Sequence, residues 1–224
     1  MTLINWDVHR WETDFAFSSL KDYLEMVEKQ FEAVREIERA RTNLTPPPGM
    51  TEEEYQEWSS EYQAEVLFFE ERYEHDFPFK IRYSFIVLLH IVLEDRLRAT
   101  CNEIHKRRNL PITEKDLKGA PLERVSTFLK KIAAIDYNNQ AGWQKLKDFQ
   151  MIRDCIVHTN GKIEESRDKN RLYDLCKKEI GISSEDGSLV VDNSYCTRAL
   201  EAISAYFSGL LDCAGFGSCK ITFS

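Results

Sequence analysis

The chain has 224 residues, of which 42% are hydrophobic and 12% aromatic, so it can bury a sizeable core and does not belong to the disordered class. Glycine (9) and proline (6) are scarce, which favours helices over sheets. No apolar run approaches the roughly 20 residues of a membrane span, and the first residues lack the basic start and apolar stretch of a signal peptide. The sequence therefore predicts a cytoplasmic protein without membrane contacts.

The net charge of -8 is unevenly distributed along the chain. Residues 1–76 contain 7 Lys and Arg against 19 Asp and Glu, a net of -12, whereas residues 77–224 contain 23 against 19, a net of +4. The acidic first third disfavours nucleic-acid binding because phosphate contacts need cations, while the mildly basic remainder leaves it open. The six cysteines include no Cys-x-x-Cys pair, so we expect reduced, buried thiols and neither a metal site nor a cofactor.

Residues 1–76 predict a long antiparallel helical hairpin, here called the N-terminal hairpin. The proline-rich turn at residues 45–49 must end its first helix, and Thr51 with Glu54 forms a capping box that starts its second. Apolar residues recur along the first helix at alternating spacings of three and four: Phe17, Leu20, Leu24, Val27, Phe31 and Val34. The second helix has its own apolar face: Tyr55, Trp58, Tyr62, Val66, Phe69 and Tyr73. We expect this hairpin to be an extension that is packed on the core or swapped with that of another copy.

A break at Phe77-Pro78 is expected to separate the hairpin from a helical core over residues 77–224. The first core helix should run from about Phe79 to Arg108 and end at Asn109. A loop is predicted over residues 136–142, and Asp186-Gly187 between two β-prone runs predicts a small β-hairpin at 182–191. Further helices are predicted after Pro121 and over about 143–157, 171–180 and 194–211. The fold class is therefore all-α.

The segment from Arg153 to His158 is the most informative about function. Asp154 and His158 lie four residues apart on one face of the predicted helix, so the carboxylate can hydrogen-bond the imidazole, orient it and raise its pKa. Arg153 lies roughly 140° around the helix from His158, so the two converge only near a frayed helix end or across a subunit interface. The sequence Thr-Asn-Gly at 159–161 stops the helix directly afterwards.

These residues resemble the Arg-x4–6-His motif of the HEPN superfamily in its form R-[N/D/H]-x3-H. Arg153, Asp154 and His158 fall on its three polar positions, with Asp in place of the commoner Asn, and the resemblance extends over about residues 77–215. It implies an up-and-down helical bundle and an endoribonuclease that needs no metal, in which the RNA 2′-OH attacks the adjacent phosphorus and leaves a 2′,3′-cyclic phosphate. His158 would transfer the proton, Arg153 would stabilise the phosphorane, and Asp154 would orient His158.

The resemblance also implies the biological setting. In this family two subunits commonly combine their motifs, which predicts a homodimer with a composite active site and RNA as the substrate. Toxin–antitoxin pairs and defence against phage are the usual contexts, with an antitoxin protein as a further partner.

Weaker candidates for substrate contacts flank the motif. Asn160 and Lys162 directly follow the helix stop. Glu94 and Arg98 are one helical turn apart and would border a cleft if their helix packs against the motif helix. His90, on the apolar core helix, is better explained as a buried histidine with one satisfied nitrogen than as a ligand.

Other interpretations remain open. A second match to the motif, from Arg98 to His105, is discounted because Ala99 lacks the polar second position and because the match lies in the middle of a charged helix, without a helix stop directly after it. The Arg153–His158 cluster can also be a capping arrangement that neutralises the helix dipole without any chemistry. Alternatively, a HEPN-like bundle without catalysis would serve as a dimeric binding or regulatory module. The acidic first third favours this, because it would repel RNA and mimic it toward a basic partner.

Overall fold

The protein is described here from a computed structural model that covers residues 7–135, 137 and 140–217. This part of the chain is mostly helical and contains one small two-stranded antiparallel sheet, which confirms the all-α class and the small β-hairpin. The α-helices of this part are α1 Val8–Thr42, α2 Glu52–Phe69, α3 Phe77–Arg108, α4 Pro121–Thr127, α5 Gln140–Thr159, α6 Lys169–Lys178 and α7 Asn193–Ala214. The strands are β1 Ile182–Glu185 and β2 Ser188–Val191, with Ile182 opposite Val191.

Several element ends follow from local chemistry that the sequence displays. The capping box of Thr51 and Glu54 is present at the start of α2, and Asn109 ends α3 in the left-handed conformation with φ 48°. Asp186 and Gly187 both have positive φ in the turn between the strands, as a tight β-hairpin turn requires. Part of the loop predicted over 136–142 lies outside the described residues, and α5 already begins at residue 140.

The expected helix break at Phe77-Pro78 is wrong. A π-type turn over Glu70–Asp76 joins α2 to α3, and the N–H of Phe77 donates to the carbonyl of Arg72, five residues back. This wider turn accommodates Pro78, which lacks an N–H and would otherwise collide with the carbonyl four residues before it. Residues 52–108 therefore form one helical run, and the boundary expected at residue 76 falls inside it.

The core lies between α1, α3, α5 and α7. The middle of α3 is fully buried at Phe85, Ile86, Leu89 and Leu93. On α1 the apolar seam is buried from Phe17 through Leu20 and Leu24 to Phe31, after which Val34 is 47% exposed. On α2, Phe69 is the one buried residue. The first part of α1 thus belongs to the core, whereas its second part and most of α2 lie outside it.

The start of α1 is fastened to α7 and α3. The guanidinium of Arg10 pairs with the carboxylate of Asp212 and donates to Ser208 Oγ at 3.1 Å. Asp7 caps the helix by accepting from the N–H of Arg10, and it also accepts from Arg107 Nη1 at 2.6 Å. Deeper in the core the rings of Phe17 and Phe207 lie 5.0 Å apart. Two helices that are far apart in sequence are therefore packed together over several turns.

The cysteines are free thiols where the structure describes them. Cys101, Cys155 and Cys196 are buried as expected, whereas Cys213 is exposed, and Cys219 lies outside the described residues. Burial raises the pKa of Cys101 and of Cys196 to about 12, so both thiols stay protonated. Among the described residues no group of three His, Cys, Asp or Glu is placed to hold a metal ion. Nor does any described helix have the length and apolar character that crossing a membrane requires.

Candidate functional site

The end of α5 is held in place by the β-hairpin and α3. Asn160 and Gly161 adopt left-handed conformations with φ 52° and 81°, as the Thr-Asn-Gly stop predicts. The Gly161 carbonyl accepts from the N–H of Leu189 at 2.8 Å, and the N–H of Ile163 donates to the Gly187 carbonyl at 2.9 Å. These bonds fix the helix end to the sheet, so the last turn of α5 has a rigid support.

His158 lies on this last turn with its imidazole exposed. In the described part of the chain it has no hydrogen bond or ion pair. The helix continues to Thr159, so its end is not frayed at His158. The expected hydrogen bond between Asp154 and His158 is therefore absent from this arrangement, and the imidazole is free to meet a ligand.

Asp154 pairs with Arg153 instead of His158. Arg153 Nη1 donates to Asp154 Oδ1 at 2.8 Å, and the two side chains are 25% and 32% exposed. A full positive charge is a stronger partner for a carboxylate than a neutral imidazole is, and the long arginine side chain reaches around the helix to supply it. The structure therefore brings Arg153 and Asp154 together and leaves His158 apart from both within one copy.

His90 lies behind this pair, on the inner face of α3. Its ring is stacked on Phe149 of α5 with centroids 6.1 Å apart, and the residue is 1% exposed. Neither ring nitrogen has a hydrogen-bond partner among the described residues, which corrects the expectation of one satisfied nitrogen. The Nε of Arg153 is likewise buried without a partner. Burial, with the nearby charge of Arg153, lowers the pKa of His90, although the carboxylates of Glu94 and Asp154 oppose the shift.

Replacing His90 by Leu is expected to stabilise the protein. A buried polar group without a partner costs about 1–3 kcal/mol, and Leu has a similar volume. Because the pKa of His90 is lowered in the folded protein, the unfolded chain binds more protons below about pH 6.5, so wild-type stability falls as the pH drops through that range. We expect His90→Leu to unfold at higher urea concentration and to lose less stability between pH 7.5 and 5.5. Some pH dependence should persist, since burial also lowers the pKa of His9.

His105→Leu is the matched control for this measurement. Its Nδ1 lies 3.2 Å from the carbonyl oxygen of Ile112, so removing the imidazole should destabilise the fold by about 1 kcal/mol. The same bond gives His105, the histidine of the second sequence match, a structural role. Equal destabilisation by His90→Leu and His105→Leu would contradict the interpretation of His90.

The weaker sequence candidates fall in different places. The carboxylate of Glu94 opposes the lowering of the pKa of His90, and it forms an ion pair with Arg98 at 3.3 Å. Lys162 is exposed and pairs with Glu165 at 3.0 Å, whereas Asn160 contributes its backbone conformation to the helix stop. Asn160 and Lys162 directly follow the end of α5 that carries His158, whereas Glu94 and Arg98 lie on α3.

A polar cleft of about 480 Å³ opens beside Asp154, between α4, α5 and α6. Its cationic and aromatic lining was not singled out from the sequence: Trp143, Lys147, Arg167 and Arg171. Arg171 is 3.5 Å from Asp148, and Arg167 is 3.5 Å from Asp168, with both arginines largely exposed. Exposed ion pairs of this kind contribute little, so a phosphate can replace the carboxylates at low cost.

Comparison with models of known protein families, with curated proteins and with solved structures gives no match. The function is therefore inferred from the geometry of the chain's own residues. Three features carry it: an exposed imidazole on a fixed helix end, an arginine–aspartate pair one turn earlier, and a polar cleft that begins at that aspartate.

Proposed function

We propose that the protein is a metal-independent endoribonuclease of HEPN type, with the corresponding helical bundle, in which His158 and Arg153 do the chemistry. The observation that carries the proposal is the exposed, unpartnered imidazole of His158 on the rigid last turn of α5. An imidazole is the side-chain group that most often takes and gives protons in enzymes at neutral pH. The Arg153 cation and the cleft at Asp154 supply contacts for phosphate and nucleobases.

The reaction uses only groups of the RNA and of the protein. A neutral His158 takes the proton of the ribose 2′-OH, whose oxygen attacks the adjacent phosphorus. The bond from phosphorus to the 5′ oxygen then breaks, and that oxygen receives the proton from the His158 imidazolium formed in the first step, which leaves a 2′,3′-cyclic phosphate and a 5′-OH. Arg153 stabilises the extra negative charge of the phosphorane. Asp154 acts on Arg153 rather than on His158, because it holds the guanidinium in place.

Two copies of the chain supply one site in this proposal. Because α5 is intact as far as Thr159, Arg153 and His158 point away from each other within one copy. Exposed apolar side chains accompany the charged ones on the same helices, with Ile91 of α3 at 56% and Val157 of α5 at 46% exposure. Burial of these side chains against a second copy would bring the Arg153 of one protomer toward the His158 of the other.

The test is cleavage of single-stranded RNA by the purified chain in EDTA, with analysis of the product ends. We expect 2′,3′-cyclic phosphates and 5′-hydroxyls. A mixture of Arg153→Ala and His158→Ala proteins, inactive alone, should recover about a quarter of wild-type activity, because half of the dimers are mixed and each has one intact site. No cleavage by wild type overturns the nuclease proposal, and no recovery in the mixture overturns the shared site.

A second candidate function is a dimeric binding or regulatory module without catalysis. The observation that favours it is the acidic N-terminal hairpin, whose outer part leaves Ile37, Tyr55, Leu67 and Phe68 exposed. Such a surface suits a basic protein partner with apolar side chains better than RNA. Binding assays in rising salt separate the two functions, because affinity for RNA falls steeply with salt whereas an apolar protein contact persists.

A further inference from the structure

A second polar cavity, of about 540 Å³, shares no lining residue with the cleft at Asp154. It is formed by α3, α4 and the short helical turn Glu114–Asp116 that follows α3. That turn is held by its own capping box, in which the N–H of Thr113 donates to Asp116 Oδ2 at 2.7 Å. Three cationic and two acidic side chains line it: Arg98, Lys115 and Arg124 with Asp95 and Glu114.

Glu114 is a carboxylate with no counterion in the described part of the chain. The residue is 2% exposed, and its Oε2 is buried without a hydrogen-bond partner. An uncompensated buried carboxylate is strongly unfavourable, so such groups are normally found with a partner. Arg98, Lys115 and Arg124 line the same cavity, yet none of them forms an ion pair with Glu114 there. Glu114 Oε2 can therefore accept a hydrogen bond from a ligand that enters the cavity.

The cavity offers an anion site as well. The Nε of Arg124 is buried without a partner among the described residues. Lys115 is exposed with no described ion pair, and Arg98 forms an ion pair with Glu94 outside the lining of this cavity. A ligand that fits must combine donor groups for Glu114 with a negative charge for these cations. Its size should be that of a nucleotide, because cavities of about 300–1,000 Å³ bind molecules of that class.

Among nucleobases, guanine matches Glu114 best. A carboxylate can only accept hydrogen bonds, and the Watson–Crick edge of guanine presents two adjacent donors, N1–H and the exocyclic amino group. Adenine and cytosine present one donor next to an acceptor, which would face a carboxylate oxygen. We propose that the cavity at Glu114 is a guanine-nucleotide site, in which Glu114 reads the base while Arg98 and Arg124 bind the phosphate.

The position of the cavity connects it to the candidate active site. Arg98 follows His90 by two helical turns, roughly 12 Å along α3, and its partner Glu94 lies between them. A strand of RNA several nucleotides long, rather than a single nucleotide, is therefore the ligand that would contact both Glu114 and Arg153. This extension to RNA depends on the proposed function, whereas binding of free guanine nucleotide does not.

Calorimetric titration of the full chain with 5′-GMP, AMP and CMP tests the site. We expect GMP to bind at least about tenfold more tightly than AMP or CMP, and Glu114→Gln to remove that preference, as expected for loss of charged hydrogen bonds. Glu61→Gln on the exposed face of α2 makes the same charge change elsewhere and should leave GMP binding unchanged. Arg124→Gln should weaken all three nucleotides by about tenfold and keep their ranking, which tests the site even if Glu114→Gln does not fold.

Equal affinity for the three nucleotides, or unchanged GMP binding by Glu114→Gln, would overturn the proposal. Titration with short RNA strands that contain or lack guanosine distinguishes a nucleotide within RNA from a free one. Tighter binding of the guanosine-containing strand than of GMP supports the RNA source, and tighter binding of GMP points to a free nucleotide ligand. Binding of GMP by a chain that does not cut RNA would leave this site standing and refute the nuclease proposal alone.

Discussion

Replacing His158 by Gln is expected to lower the rate of RNA cleavage by about 10²–10⁴-fold, the usual contribution of a general acid or base. The imidazole is exposed and has no described partner, so its loss removes no protein contact. Stability should therefore change by less than about 0.5 kcal/mol, as for other surface substitutions. Gln retains hydrogen-bonding groups but cannot carry a proton at neutral pH, which separates proton transfer from substrate contact. Single-turnover cleavage of a labelled RNA measures the chemical step.

His75→Gln is the matched control for this experiment. His75 is also exposed, but it lies on the π turn between α2 and α3 and outside the motif. It should cleave at the wild-type rate. If His158→Gln and His75→Gln cleave equally well, His158 does not transfer the proton and the catalytic assignment fails.

Gly161→Ala is expected to lower the free energy of unfolding by about 2–5 kcal/mol. The backbone at Gly161 has φ 81°, where a Cβ costs about 1–2 kcal/mol. The added Cβ would lie 2.8 Å from Cζ of Tyr83 and closer still to its hydroxyl oxygen, and overpacking of this kind costs about 1–3 kcal/mol more. Because Tyr83 also donates to the carbonyl of Leu189, its displacement should loosen the sheet from the end of α5. Urea denaturation measures the loss.

Gly187→Ala separates the two causes. Gly187 has a similar φ of 78°, but nothing lies within 4 Å of its added Cβ, so this variant should lose only the conformational part, about 1–2 kcal/mol. The double variant Tyr83→Ala, Gly161→Ala should lose less stability than the two single losses added together. An additive double variant, or equal losses at Gly161 and Gly187, would show that the contact with Tyr83 is unimportant.

The elements that could be predicted from sequence are those fixed by nearby residues. Asn109, the Asn160-Gly161 pair and Asp186-Gly187 all mark chain reversals or helix ends because few other residues tolerate positive φ. The capping box at Thr51 is also local, because its hydrogen bonds join residues three positions apart. Helix ends and the β-hairpin therefore lie within a few residues of their predicted positions.

The parts that were missed depend on contacts or geometry that spacing does not determine. The break at Pro78 was expected because proline normally ends a helix, but a π turn before it removes the conflict. The spacing of Asp154 and His158 permits a hydrogen bond, but the carboxylate of Asp154 accepts its hydrogen bond from Arg153 instead. Glu114 follows an exposed loop in the sequence, and only the packing of α3 and α4 around its turn buries it.

The pairing of α1 with α7 has a consequence for how the chain acquires its structure during synthesis. Phe17 cannot contact Phe207, whose ring lies 5.0 Å from its own, until about 190 more residues have been translated. At roughly 5–20 residues per second this delay is about 10–40 seconds. Throughout that interval α7 does not yet cover the apolar side of α1 at Leu20 and Leu24. The nascent chain therefore exposes an apolar surface that chaperones can bind. Closure of the bundle is therefore a late, long-range event rather than a stepwise addition of helices.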